Sequence, residues 1–318
     1  MKATFYLKIS MFLFAAGVLF LSGCKKEPVE PGQDDTSSAS IQQISQDDNQ
    51  IQKIDDDINL DIEVMMTQGG LKSTTWLPCN ATIDSTSIVD DTITYYITYH
   101  GLNCRENLYR TGRVEVKKQV GMHWIMPGAT VMVTIINLQV THVNSGKTVV
   151  INGTKSHTNV TGGLLVQLGM GINTIVHRTH GFMTVNFDDG SNRSWNIARR
   201  IVYNGIFNIG TGYFDELSIG VDGFGSVGGY TNLVTWGVGR NGDQFYISVP
   251  QPVHYVLACN FNPVNGVQTI DIPSKNKGAT LTFGFDEYNQ PVVPPACPSK
   301  YRLDWYHGTH SGTIYLWL

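Results

Sequence analysis

The spacing of turn signals constrains this chain most. From Thr92 onward, runs of strand length are broken at short intervals by Gly, Asn, Asp and Pro. Thr92 to Tyr99 is β-branched or aromatic at every position, and Arg113-Val114-Glu115-Val116-Lys117 alternates with period two, as a strand with one wet face does. Turn signals stand at Pro127-Gly128, Asn144-Ser145-Gly146-Lys147, Asn152-Gly153, Asp188-Asp189-Gly190-Ser191, Asn241-Gly242-Asp243 and Asn265-Gly266. This rhythm predicts consecutive antiparallel hairpins. No strand alternates with a long helical pattern, which argues against a parallel α/β sheet. The expected fold is all-β, an antiparallel meander or sandwich over residues 71–318 with strands from Trp76, preceded by one N-terminal helix.

That helix is expected over 41–70. Ile44, Ile51, Ile54 and Ile58 recur at roughly helical spacing among Gln, Asp and Asn, with Ser40 as a cap and Gly69-Gly70 closing the segment. Its first half is polar, which suggests a stalk rather than a core element.

The first 23 residues read as an address. Lys2 and Lys8 form a basic flank, and Ile9 to Leu21 is almost unbroken apolar sequence. The run is too short for a bilayer core, which needs about 20 helical residues, and fits a signal peptide instead. It ends in Leu21-Ser22-Gly23-Cys24, which resembles a bacterial lipobox. The resemblance implies cleavage before Cys24 and acylation of that cysteine, giving a membrane partner through lipid. Residues 24–40, rich in Pro, Ser and acids, then form a tether. Lys25 stands where some bacterial retention signals carry Asp, so sorting to the outer membrane is expected. Cys24-Lys25-Lys26-Glu27 is similar to the surface-export signal of Bacteroidota lipoproteins, which implies surface exposure.

The chain has 22 basic and 26 acidic residues; loss of Lys2 and Lys8 leaves 20 against 26, a net charge of −6. That balance lacks the basic footprint of a nucleic-acid partner. Beyond Cys24 there are four cysteines, Cys79, Cys104, Cys259 and Cys297. In an exported chain an even number suggests disulfides. Of three pairings, Cys79–Cys104 with Cys259–Cys297 closes the most local loops. The cysteines also bracket a weak echo. Each half reads cysteine-asparagine, strand, cysteine, Tyr-Arg (Tyr109-Arg110, Tyr301-Arg302), which suggests sub-units at 76–170 and 171–318.

The layout of lipobox, acidic helical lead and cysteine-bracketed strand is followed by Tyr109-Arg110-Thr111-Gly112-Arg113 and Pro127-Gly128-Ala129-Thr130-Val131. Together with Trp236-Gly237-x-x-Arg240-Asn241-Gly242-Asp243, it resembles uncharacterised Bacteroidota cell-envelope lipoproteins. The resemblance implies an envelope β protein and carries no reaction and no site residues.

Motifs for chemistry fail on inspection. Gly223-Phe224-Gly225-Ser226-Val227-Gly228 fits the glycine string of a dinucleotide site, but Gly229-Tyr230-Thr231-Asn232 cannot open the helix that meets a pyrophosphate. Asp55-x-Asp57-x-Asn59-x-Asp61 begins like a calcium loop, yet Leu60 stands where the turn needs Gly and Met66 where it needs Glu. An acidic, solvated helix face is expected instead. His177/His180 and His307/His310 are three apart, so in strands each pair points to opposite faces and cannot chelate alone. No nucleophile elbow occurs, and the acid pairs Asp215-Glu216 and Asp286-Glu287 read as strand ends or turns. No cofactor, metal or catalytic residue is expected. What stands out is the aromatic supply from Trp195 to Trp317. Core filling explains it most simply; a platform for sugar rings on Trp195, Trp236 and Trp305 is the alternative. The functional expectation is an envelope structural or interaction module, whose partners are glycans or envelope proteins. A carbohydrate-binding or adhesin-type protein comes second, and a hydrolase with no visible site third.

Overall fold

The computed structural model describes residues 35–67, 78–85, 88–293 and 295–318. Cys24, the expected signal peptide and nearly all of the expected tether lie outside these residues, as do Trp76 and Gly69-Gly70. A single helix, α1 (Asp35–Thr67), precedes fifteen strands. The first seven are β1 (Ala81–Ser85), β2 (Thr92–Leu102), β3 (Leu108–Gln119), β4 (Ala129–His142), β5 (Thr148–Asn159), β6 (Thr174–Phe187) and β7 (Asn192–Asn208). The other eight are β8 (Tyr213–Gly223), β9 (Gly225–Val227), β10 (Tyr230–Val238), β11 (Gln244–Val256), β12 (Pro263–Ile272), β13 (Lys277–Phe285), β14 (Lys300–His307) and β15 (His310–Trp317). All pairings between these strands are antiparallel and join them into one sheet. Its order is β1 through β7, then β10 through β15, with β8 and β9 attached to the side. The meander expectation holds. The proposed boundary at 170/171 marks no break in the sheet, since β5 and β6 pair from Val149↔Phe187 to Asn159↔His177.

The helix is not a stalk. Ile41, Ile51, Ile54, Ile58 and Ile62 are fully buried in the same core as Val131, Val133, Val140, Val185, Ile197 and Leu303 from the sheet. Each such side chain contributes roughly 1.5–3 kcal/mol of burial. Among the described side chains of α1, the exposed ones form one stripe, Ala39, Gln43, Gln46, Asn49, Lys53, Asp56 and Leu60. The remaining faces meet strands from both halves of the sheet, so the sheet curves around the helix. Ser40 lies inside α1 and accepts a hydrogen bond from Lys277 Nζ at 2.7 Å rather than capping the helix start.

Two expected turns supply part of that curvature. Asn152-Gly153 sits within β5, and Asn265-Gly266 within β12. The register slips across from Gly153, between Ile135 and Leu138, where Asn137 adopts φ 47° and its amide donates to Asn152 Oδ1 at 2.7 Å. Gly153 itself has φ 151°, and a β-carbon there would stand 2.3 Å from the Phe182 carbonyl oxygen. Bulges and glycine kinks of this kind bend a sheet without ending a strand.

Both expected disulfides form, Cys79–Cys104 and Cys259–Cys297. Each first cysteine precedes an asparagine in the left-handed region, Asn80 at φ 50° and Asn260 at φ 54°, then two strands, the second cysteine and a third strand. The echo diverges at its Tyr-Arg step: Arg110 is buried against α1, while Arg302 lies half-exposed beside Asp304. No helix among the described residues is long and apolar enough to cross a membrane.

Candidate functional site

Charged side chains concentrate in two places, the seam between α1 and the sheet and a cleft on the sheet's outer face. At the seam Asp47, Asp48, Asp55 and Asp61 are buried rather than solvated, while Asp56 keeps an exposed side chain; they form no calcium loop. Asp48 Oδ1, 1% exposed as a residue, accepts from Arg193 Nη2 at 3.1 Å, Trp195 Nε1 at 3.0 Å and Thr235 Oγ1 at 2.9 Å. Two and three turns on, Lys155 Nζ bonds Asp55 and Asn59, the latter at 2.6 Å. Asp61 Oδ2 accepts from Arg110 at 2.7 Å and from Tyr99 at 2.8 Å. Asp47 pairs with Arg240 (2.6 Å) and Asp56 with Arg199 (2.8 Å). These cations reach inward from β3, β5 and β7 and from the turn after β10. The reason is positional: strand alternation aims Lys155, Arg193 and Arg199 into the concavity along with the apolar residues.

Near the end of α1 the seam becomes aromatic. Glu63 accepts from Trp124 Nε1 and from the Leu165 amide at 3.4 Å, with His177 Nε2 3.9 Å away. Trp124 stacks on His157 with centroids 5.3 Å apart, and His157 Nδ1 contacts Thr179 Oγ1 at 3.0 Å. Burial pushes the Glu63 carboxyl up to about 7 and the His177 imidazole down to about 4, and holds His157 well below its ordinary range. Burial thus disfavours charge on all three groups. They are sealed from solvent, and no set of three metal-ligating side chains exists among the described residues. Around Glu63 the seam is closed to solvent and ties α1 to the sheet.

The outer cleft arises where the sheet forks. The early part of β7 pairs with β10 (Trp195↔Gly237) and its later part with β8 (Ile201↔Val221). On the other side β11 does the same, with β10 at Phe245↔Gly237 and with β8 at Val253↔Val221. So β8 and β10 share one slot end to end. Between them the chain leaves the sheet at Gly223 and folds as the β9–β10 hairpin. The glycine string 223–228 serves this crossing, and no helix follows it: a β-carbon at Gly223 would lie 2.3 Å from the Asn232 carbonyl oxygen. Tyr230 of the hairpin stacks on Tyr246 at 4.1 Å between centroids. Its hydroxyl donates to Asp271, which also accepts from Tyr306 at 2.8 Å.

At the hairpin's base a cleft of about 420 Å³ opens, lined by Arg178, Arg200, Asp222, Phe224, Asn232, Val249, Pro250 and Pro252. Arg200 Nε bonds Asp222 Oδ1 at 2.9 Å, and its Nη2 reaches Oδ2. Arg178 makes no ion pair or hydrogen bond among the described residues; its guanidinium lies 5.2 Å from the Phe224 ring centroid. Phe224 is 40% exposed, and Phe182 on the same outer face is 46% exposed. Pro250 and Pro252 offer no amide donor, so hydrogen-bonding groups on the walls come mainly from the Arg178, Arg200, Asp222 and Asn232 side chains, set beside the Phe224 ring.

None of the three tryptophans proposed for ligand stacking lines this cleft. Trp195 is 0% exposed and donates to Asp48, which corrects its place in the proposed platform. Trp236 packs over Gly225 beneath the hairpin, and Trp305 over Gly312. His177 and His180 do face opposite ways, one buried and one exposed. Asp286 caps its own turn through the Tyr288 and Gln290 amides (2.9 and 2.8 Å), and Asp215 and Glu216 are exposed. Phe224 and Arg178 were not singled out from sequence. The usable signal was the run Gly223-Phe224-Gly225, an aromatic between glycines that need close backbone approach. No family model matches this chain, and no curated protein or solved structure is similar to it.

Proposed function

We propose that this chain is an envelope lipoprotein, cleaved before Cys24 and acylated there, whose β domain binds carbohydrate through the cleft beside Phe224. The observation that carries the reading is the cleft itself: a half-exposed aromatic ring beside guanidinium and amide groups, in a volume suited to one or two sugar rings. A sugar presents an apolar face to stack on the ring and hydroxyls for Asn232 and Arg178. The polar residues 24–40 then act as a tether that holds the domain off an outer membrane, with surface exposure as the expected orientation. Screening the mature chain in detergent against immobilised oligosaccharides tests the binding. Phe224→Ala should weaken any interaction found by tenfold or more; no interaction, or one that Phe224→Ala leaves intact, contradicts it. Cys24→Ser should release the chain from membranes, and a variant that stays lipid-labelled contradicts the anchor.

A second reading, an interaction scaffold for envelope proteins, draws on β15. Among the described residues this strand pairs only with β14, in unbroken register, and carries no Lys, Arg, Asp, Glu or Pro. Edge strands without such guards pair readily with other strands. Light scattering should then show association that Ser311→Lys abolishes, whereas a monomer at high concentration speaks against it.

A further inference from the structure

The outer face at the cleft holds an uncompensated positive charge. Arg178 of β6 stands directly opposite Arg200 of β7, and Arg200 directly opposite Asp222 of β8. The row therefore reads cation, cation, anion, in a chain whose formal charge is −4. Like charges opposite each other on neighbouring strands destabilise a sheet. Asp222 offsets one of them, because two atoms of the Arg200 guanidinium are engaged on its carboxylate. Among the described residues Arg178 has only the Phe224 ring beside its guanidinium, and beyond it on β5 stands Thr158, whose hydroxyl is held by Thr130 Oγ1 at 2.8 Å. The seam treats arginine differently. Arg110, Arg193 and Arg199 each have a carboxylate within 3.1 Å. Unlike those interior arginines, Arg178 is exposed, and it stands on the wall of the cleft beside Phe224.

We infer that the ligand of this cleft is an acidic carbohydrate, whose carboxylate pairs with Arg178 while a ring face stacks on Phe224. The inference rests on the carbohydrate reading above and narrows its ligand class. A planar guanidinium matches a carboxylate in two-pronged fashion. The free cation is adjacent to the aromatic ring, so charge recognition and stacking fall within one monosaccharide. A neutral sugar would offer Arg178 hydroxyls alone and leave the like-charge row uncompensated. The anion offsets both.

The experiment titrates the mature chain in detergent with oligosaccharides ending in galacturonic, glucuronic or sialic acid, each beside its carboxyl-reduced neutral counterpart, and with a sulfated oligosaccharide. The acidic form of at least one should bind tenfold or more tighter than its neutral counterpart, with the difference shrinking as salt rises. Arg178→Ala should erase that difference, and Arg178→Lys should restore part of it. Arg178→Ala should fold normally, since it relieves a like-charge contact; an unchanged melting temperature checks this. Equal binding of acidic and neutral forms that Phe224→Ala weakens would overturn the acidic assignment and keep the carbohydrate reading. Binding of the sulfated probe alone would overturn the carboxylate. No binding by any probe would overturn both readings together.

Discussion

Replacing Asp48 by alanine strikes the most connected point of the seam. The carboxylate oxygen that accepts from Arg193, Trp195 and Thr235 is lost at once, and all three partners are buried to within a few per cent. Arg193 keeps only a long bond to the Ile44 carbonyl (3.3 Å) and its place over the Phe245 ring. Removing one partner of a buried ion pair costs about 3–5 kcal/mol, because the remaining charge stays desolvated without compensation. The orphaned indole and hydroxyl donors add to this, roughly 1–3 kcal/mol each where no water replaces the acceptor. A domain typically has about 5–15 kcal/mol in total, so Asp48→Ala should leave it marginal. Urea unfolding followed by tryptophan fluorescence reads the loss. Adding Arg193→Met to Asp48→Ala should recover part of it, because an apolar side chain of similar length fills the site without a charge to satisfy. A loss below about 1 kcal/mol for Asp48→Ala, or a double variant no better than the single, would refute the reasoning.

Other expectations follow from the same geometry. Glu63, raised from 4.5 to about 7, binds its proton more tightly folded than unfolded. Its contribution is therefore fully present below about pH 4.5 and is lost as pH rises through 7, a swing of about 3 kcal/mol at 1.36 kcal/mol per unit. Glu63→Gln keeps an acceptor for Trp124 but cannot ionise, so its stability relative to the native chain should rise by that amount between pH 4.5 and 8; urea melts that keep a constant difference would contradict it. Gly153→Ala should cost about 2 kcal/mol or more through strain at positive φ and overlap with the Phe182 carbonyl, whereas Gly190→Ala, at a turn with open space around it, should cost less; thermal melts of both compare them.

The elements read correctly from sequence were those set by local chemistry. Asp188-Asp189-Gly190-Ser191 is a turn, Thr92 to Tyr99 is a strand, and each cysteine found the partner that closes the shorter loop. What escaped was set by partners distant in sequence. The acids of α1 resemble a wet face because nothing near them shows that Lys155, Arg193 and Arg199 point inward a hundred or more residues later. The hint lay in the strands themselves: Lys155 shares the phase of Val149 and Ile151 along β5, and Arg193 and Arg199 share that of Trp195 and Ile197 along β7. A charge in the apolar phase of a strand demands a buried counter-charge, and the acidic helix was the available source. Asn152-Gly153 misled for a related reason, since the same dipeptide serves a hairpin or a bulge and only the neighbouring strand decides. The cleft was hidden because it exists only where β8 and β10 share a slot, a feature of topology that no local pattern records.

Helix α1 lies in the inner core of the curved sheet rather than standing as a stalk before it. Amide hydrogen exchange of the mature chain tests this most directly. From Ile51 to Ile62 the helix should exchange as slowly as β6 and β7, opening only with global unfolding, because its acids and isoleucines are locked to those strands. Exchange of these amides at the rate of an isolated helix, while β6 and β7 remain protected, would contradict the account.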